Sequence, residues 1–457
     1  MAFRSRTLRR SGLVIAPAIA ALALSVVGTS TVTAAARPQS HPVTPAVGMH
    51  PHLVSAGAAL STSGQVKFGC QTVRPGRLTC YGPDQIRAAY SIQPLLNAGN
   101  DGRGRTIVIV DAYSPTGAAS DLAHFDSVWG LPAPNLTIVA PQGGTAWDPT
   151  DPNQVGWGEE TNLDLQWAHS VAPGAKIVLV QANSSQDADI LAATKWAVDN
   201  RVGDVISQSF GEAESCVDPT LLAQEHQMFA DATRKGITLI ASAGDQGSAQ
   251  PTCDNTSYIL SASSPASDPL VLGVGGTSLS ADLTTGAYGS ETVWNESNPF
   301  DSAGGGGYST VYSRPNYQGD AVQGSARGVP DVSYNGGINN GVLGYLGPQL
   351  LGPYAGWYIF GGTSAGSPQW AGLTAIGAQM AHRRLGLLNV TLYDVANSER
   401  YGRYFHDITV GDNSYNPVDY PTISIPGYAA GPGWDAASGL GTPIASNLVP
   451  FLARSVS

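Results

Sequence analysis

The chain alternates short, wholly apolar runs rich in β-branched residues with segments of helical spacing. "TIVIVDAY", "KIVLVQA", "DVISQSFG" and "ITLIASAGD" read as buried strands. "EETNLDLQWAHSV", "DADILAATKWAVDN", "PTLLAQEHQMFADATRKG" and "SPQWAGLTAIGAQMAHRR" read as helices, the third ending at Gly236. Strands without polar alternation must be covered on both faces. This order therefore predicts an α/β chain with a parallel sheet between two helical layers. In such sheets functional groups gather beyond the carboxyl ends of the strands. Asp111, Ser209 and Asp245 stand at or near those ends.

The 457 residues allow two or three domains or one large α/β domain. Arg4, Arg6, Arg9 and Arg10 precede the apolar run "LVIAPAIAALALSVVG", and "TAAARP" offers small residues for cleavage near Ala36. Residues 1–36 are thus expected to be an export signal, too short for an ordinary membrane span. Residues 37–80, rich in Pro, Ser, Ala and Gly, read as a short processed segment or linker. The body is expected over 81–457, opening with a short helix in "YGPDQIRAAYSI" that has Pro83 in its first turn. The formal net charge is −11, and removing the four leader arginines takes it to −15 (−11 − 4). So acidic a body is not expected to bind nucleic acid or anionic membranes, and it repels itself less in acid. A secreted location and a monomer are the expectations.

Four cysteines in an exported chain favour disulfides over zinc. Of three possible pairings the sequential one, Cys70–Cys80 and Cys216–Cys253, is preferred, because the others tie the N-terminal segment to distant parts of the body. No cysteine sits in a motif with a base, which argues against a thiol nucleophile.

Three stretches carry candidate chemistry. In "GGTSAGSPQWAG", Ser364 lies in a glycine-rich turn opening a helix, where backbone N–H groups favour developing negative charge. A serine there is also an ordinary helix cap. In "EETNLDLQW", Glu160 and Asp164 are four apart and share a helix face. Solvated, they form an ordinary acidic face. Buried, they titrate as a pair in which one carboxyl is a base and the other orients it. In "ASAGDQG", Asp245 follows a strand in a glycine-flanked turn, a common place for a turn aspartate.

Together these stretches resemble the sedolisins, acid-acting serine-carboxyl peptidases of subtilisin-like fold. "HSVAPGAKIVLV" and "VISQSFG" also match, and the order Glu, Asp, Asp, Ser is the family's. The resemblance covers roughly Tyr81 to the C-terminus. It implies a single subtilisin-like catalytic domain with Ser364 as nucleophile, Glu160 as general base and acid, Asp164 orienting Glu160, and Asp245 donating to the oxyanion. A carboxylate base suits acid: a histidine of pKa ~6.5 is mostly protonated at pH ~4, whereas a carboxyl near ~4.3 still accepts a proton. "FHDITVGDN" and "AGPGWDAASGLGTP" resemble the family's calcium site. The implied ligands are the carboxylates of Asp407 and Asp435 and the carbonyls of Ile408, Gly431 and Gly433. One departure stands out. Relatives usually carry a long folded pro-segment, and here about 45 residues separate the expected cleavage from Tyr81.

Other readings stay open at this stage. A Ser-His-Asp subtilase would use Asp111 and His169, but His169 in "WAHSVAPGA" lacks the small residues expected around such a base. An inactive relative used for binding, and a glycosidase using Glu160 and Asp164 as its carboxyl pair, are further alternatives.

Overall fold

The computed structural model describes residues 47–48, 52–59, 67–73, 75–396 and 398–455. The expected export signal lies outside the described residues. At the centre is an eight-stranded sheet. Its strands are β1 (Thr106–Ala112), β2 (Asn135–Val139), β3 (Lys176–Ala182), β4 (Val205–Gln208), β5 (Thr238–Ser242), β6 (Leu272–Ala281), β7 (Tyr288–Val293) and β8 (Val332–Asn335). The spatial order is β7-β6-β5-β4-β1-β3-β2, with β8 also pairing along β6. Only the β6–β7 pairing is antiparallel. The expected parallel sheet is thus present, with one antiparallel strand at its edge.

Side chains on β1 and β3 point alternately to two cores. Ile107, Ile109, Ile177 and Leu179 enter one cluster, while Val108, Val110, Val178 and Val180 enter the other. Both faces being covered explains why these strands are apolar throughout. Helix α1 (Ala118–Trp129) and α2 (Pro152–Val171) contribute to the first layer, and α3 (Asp187–Asp199) and α4 (Pro219–Arg234) to the second. Helix α5 (Gly366–Ala381) crosses α2 closely: a methyl group at Gly372 would come 2.8 Å from Val171 Cβ. Helix α2 begins at Asp151, whose side chain accepts from the Asn153 N–H at 3.0 Å, with Pro152 in the first turn. Helix α4 ends at Arg234, and Gly236 follows with φ +72°.

A second sheet joins the strands His52–Ser55, Gly356–Gly361, Gly341–Leu346 and Cys80–Tyr81 in that order. Part of the Pro- and Ser-rich segment 37–80 is therefore built into the body. Phe68 is buried against Trp129 and Trp357. The disulfides are Cys70–Cys80 and Cys216–Cys253, the pairing expected from the sequence. Among the described residues no helix is long and apolar enough to cross a membrane.

Candidate active site

The site forms where α2, the ends of β4 and β5, and the turn before α5 meet. Glu160 and Asp164 sit one turn apart on α2 and are fully buried. The solvated acidic face is thereby excluded. The Ser209 hydroxyl, just beyond β4, donates to Asp164 Oδ1 at 2.8 Å. Ser364 follows the strand Gly356–Gly361 in a tight 3₁₀ turn, Thr363–Ala365, that runs directly into α5. Its hydroxyl is 3.5 Å from the Ser209 carbonyl and is near enough to the Glu160 carboxyl to lower its pKa, although neither Glu160 oxygen has a hydrogen-bond partner among the described residues. Glu160 and Asp164 are close enough for each to bear on the other's pKa.

Burial pushes Glu160 well above the usual carboxyl range, and the nearby charges of Asp164 and Asp111 push the same way. Asp164 is likewise held well up by burial and by Asp111, with the Ser209 hydroxyl opposing. Asp111, at the end of β1, is pushed up to about 7 by burial, with the Thr161 hydroxyl opposing. Three carboxyls thus crowd one dry pocket. They cannot all ionise, so protons are held between them and their titration is collective.

Asp245 approaches from the turn after β5 and is 1% exposed. Its Oδ1 accepts from the Thr363 N–H at 2.8 Å and the Thr363 hydroxyl at 2.7 Å. Its Oδ2 has no hydrogen-bond partner among the described residues. Burial raises its pKa, against the charge of His52 and the two Thr363 hydrogen bonds. The carboxyl therefore has a fixed accepting edge and an open edge suited to carry a proton. Gly362 keeps that edge open. A methyl group there would stand 2.8 Å from Asp245 Oδ2, and the backbone at φ +127° suits glycine alone. This accounts physically for the glycine immediately before Thr363 and Ser364.

The structure brings Glu160, Asp164, Asp245 and Ser364 together and adds Asp111 to their carboxyl cluster. It pairs His169 with another aspartate: His169 Nδ1 is 2.9 Å from Asp126 Oδ1, and both side chains are buried. A triad of Asp111 and His169 is not formed. Thr363, which aims Asp245, was not singled out from sequence. Its signal is its place next to the serine in a glycine-bounded turn.

The second candidate cluster lies in the loops around residues 407 and 435. Both Asp407 carboxylate oxygens are 3.1 Å from the Gly433 N–H, and Asp435 Oδ2 is 3.0 Å from the Gly431 N–H. The glycine loop thus wraps the two carboxylates, and Ile408 is anchored in a small apolar cluster with Val293 and Ala437. Among the described residues no three His, Cys, Asp or Glu side chains converge on a metal position. An ion here would need backbone carbonyls as well. The two carboxylates are hard oxygen donors of the kind Ca²⁺ takes, and backbone carbonyls would have to complete the set.

A sequence profile described as the subtilase family matches residues 150–390. Kumamolisin from Bacillus sp. (strain MN-32) is 34% identical over 86% of this chain and 67% of its own length. Sedolisin from Pseudomonas sp. (strain 101) is 33% identical over 82% of this chain and 62% of its own. Tripeptidyl-peptidase 1 of Dictyostelium discoideum is 27% identical over 81% of this chain and 58% of its own. The solved structure of Pseudomonas sedolisin, a serine-carboxyl proteinase complexed with two molecules of pseudo-iodotyrostatin, superposes with a TM-score of 0.70 at 30% identity. That match covers 84% of this chain and all of the other. The fold is that of the subtilisin-like α/β peptidases. Within that class, the chain belongs to the sedolisin family. It spans about two thirds of the length of kumamolisin and less of sedolisin.

Proposed function

We propose that the protein is a secreted, acid-acting serine-carboxyl peptidase that cleaves proteins within the chain. The observation that carries this reading is the convergence in one buried site of Glu160 and Asp164 from one face of α2, Ser364 in the turn into α5, and Asp245 with its open oxygen. In the reaction, Ser364 Oγ attacks the substrate carbonyl carbon and its proton passes to Glu160. The carbonyl oxygen gains the negative charge and accepts a hydrogen bond from protonated Asp245 Oδ2. Glu160 then returns the proton to the leaving amine as the C–N bond breaks, leaving an acyl ester on Ser364. Water then attacks the ester carbon and passes a proton to Glu160; the bond to Ser364 Oγ breaks, Glu160 returns the proton to that oxygen, and the acid and the free serine are released. The dry pocket makes Glu160 a strong proton acceptor once the cluster has lost its first proton, because burial favours the neutral carboxyl.

Asp407, Asp435 and the carbonyls of Ile408, Gly431 and Gly433 would hold one structural Ca²⁺. Its contribution would be to tie the loop Gly431–Asp435 to the segment carrying Asp407.

The test is kcat/KM on a protein substrate against pH, with product masses recorded, for the wild type and Asp245→Asn. A bell with its maximum in acid is expected. Ionisation of Asp245 removes a donor worth roughly 10²–10³ in rate. An amide donates at every pH, so the alkaline limb of Asp245→Asn should move upward. A wild-type optimum at pH 8 or above would overturn the carboxyl mechanism. Internal fragments of varied length support endopeptidase action, and tripeptides alone would replace it with tripeptidyl release.

A further inference from the structure

A carboxyl group can carry its proton on either oxygen, and only one choice suits Asp245. A donor to the oxyanion needs the proton on Oδ2, the open edge, and not on Oδ1. The surroundings of Oδ1 decide between them. Two donors reach that oxygen, and both belong to Thr363: the N–H at 2.8 Å and the hydroxyl at 2.7 Å. A carboxyl oxygen has two lone pairs in its plane, and two donors occupy both. A proton on Oδ1 would be driven against one of them. It is therefore directed to Oδ2, which has no partner among the described residues.

The hydroxyl has a second place to turn. Thr363 Oγ1 also lies 3.2 Å from the Gly244 carbonyl, and it has one proton to give. Turned to that carbonyl, its oxygen would accept from a proton on Oδ1, and Oδ2 would present lone pairs to the oxyanion. The neighbouring groups disfavour this. The Gly244 carbonyl already accepts from the Gly305 N–H at 2.7 Å. The Gly244 N–H donates to Thr363 Oγ1 at 3.3 Å, which occupies one of the two lone pairs on that oxygen. Thr363 and Asp245 are each 1% exposed, so the arrangement is shielded from bulk water.

We propose that Thr363 is a positioning residue for catalysis: its hydroxyl fixes the tautomer of the Asp245 carboxyl, so that the proton is held on Oδ2, toward the developing oxyanion. The inference rests on the reading in which protonated Asp245 donates to that oxyanion, and it adds the group that aims the proton. The same hydrogen bond opposes burial and lowers the Asp245 pKa. The proton is thus better placed and is lost at a lower pH. The titratable groups that bear on Asp245 are His52, on the strand His52–Ser55, and Glu160, on α2. Both are kept in the variants below, so a difference between variants arises at position 363.

The test measures kcat and KM against pH on a protein substrate for the full chain as wild type, Thr363→Val and Thr363→Ser. Valine keeps the branched shape without the hydroxyl, and serine returns the hydroxyl. Thr363→Val should lower kcat about 10-fold at the acid optimum and change KM by less than about 2-fold, the pattern of an interaction made in the transition state. Its alkaline limb should also move upward, because Asp245 loses a hydrogen bond that favours its ionised form. Thr363→Ser should return both quantities toward the wild type. Melting curves check the fold, and Thr363→Ala takes the place of valine if that variant does not fold. A rate loss equal at every pH, a serine variant as impaired as the valine one, or an unchanged kcat in a folded Thr363→Val would overturn the proposal. Failure of the underlying reading is seen separately, as an Asp245→Asn protein whose alkaline limb stays where the wild type has it.

Discussion

Asp111 makes the protein's stability depend on pH in a direction opposite to that of most carboxylates. It is fully buried at the end of β1, and neither of its oxygens meets a donor of fixed geometry among the described residues. Its ordinary value of 3.8 is moved to about 7 in the fold by burial. Between those values the folded chain keeps a proton that the unfolded chain has released. Stability from this group is therefore complete below about 3.8 and is lost as pH rises through about 7. A gap of ~3 pH units at about 1.36 kcal/mol per unit gives ~4 kcal/mol. That is a large fraction of a typical folding free energy of roughly 5–15 kcal/mol. Glu160, Asp164 and Asp245 are raised too and act with the same sign. The assay is urea unfolding at pH 4.5 and pH 8 in the Ser364→Ala background, which prevents self-digestion. The parent should be less stable at pH 8, and Asp111→Asn, which has no proton to lose there, should lose ~3 kcal/mol less, since only about 2.5 pH units of the gap lie above pH 4.5. A parent that gains stability toward pH 8, or an Asp111→Asn protein with an unchanged pH dependence, would refute the reasoning.

Ser364→Ala should lower kcat on a protein substrate by about 10⁶, as expected for loss of a nucleophile, while its melting curve stays close to that of the wild type. Retained activity in a folded variant would remove Ser364 from the mechanism. Chelation should lower the melting temperature of the wild type, since an ion at 100 times its Kd stabilises the fold by about 2.7 kcal/mol. Asp407→Ala should abolish most of that dependence, and superimposable curves with and without chelator, after verified metal removal, would count against the site.

The sheet and its helices are legible in the sequence because burial on both faces leaves an uninterrupted apolar signal. β1 and β3 run Thr106–Ala112 and Lys176–Ala182, within and equal to the quoted strand stretches. The Glu160, Asp164, Asp245 and Ser364 set is legible because each lies in a short stretch whose glycines or helical spacing are visible locally. Two features are not. The strand His52–Ser55 comes from a Pro- and Ser-rich segment without alternation, and its partner lies about 300 residues away (361 − 52 = 309). Its pairing uses backbone groups, which leave no mark on residue type. The joining of Asp111 to the carboxyl cluster is hidden for a related reason. A strand-end aspartate looks the same in sequence whether it faces water or two other carboxyls across a packed interface.

The distance along the chain between Glu160 and Ser364 is 204 residues (364 − 160). The carboxyl proposed as base sits on a helix laid down before most of the sheet exists, and the proposed nucleophile follows the strand Gly356–Gly361, late in the chain. Such long-range assembly is slow to form. A nascent or truncated chain holding the carboxyls alone has nothing to cut with. A mature chain that opens its sheet pulls serine and base apart as its own loops become accessible. Susceptibility to proteolysis and the capacity to carry it out are thereby placed in different conformational states, which limits how far one molecule can consume itself.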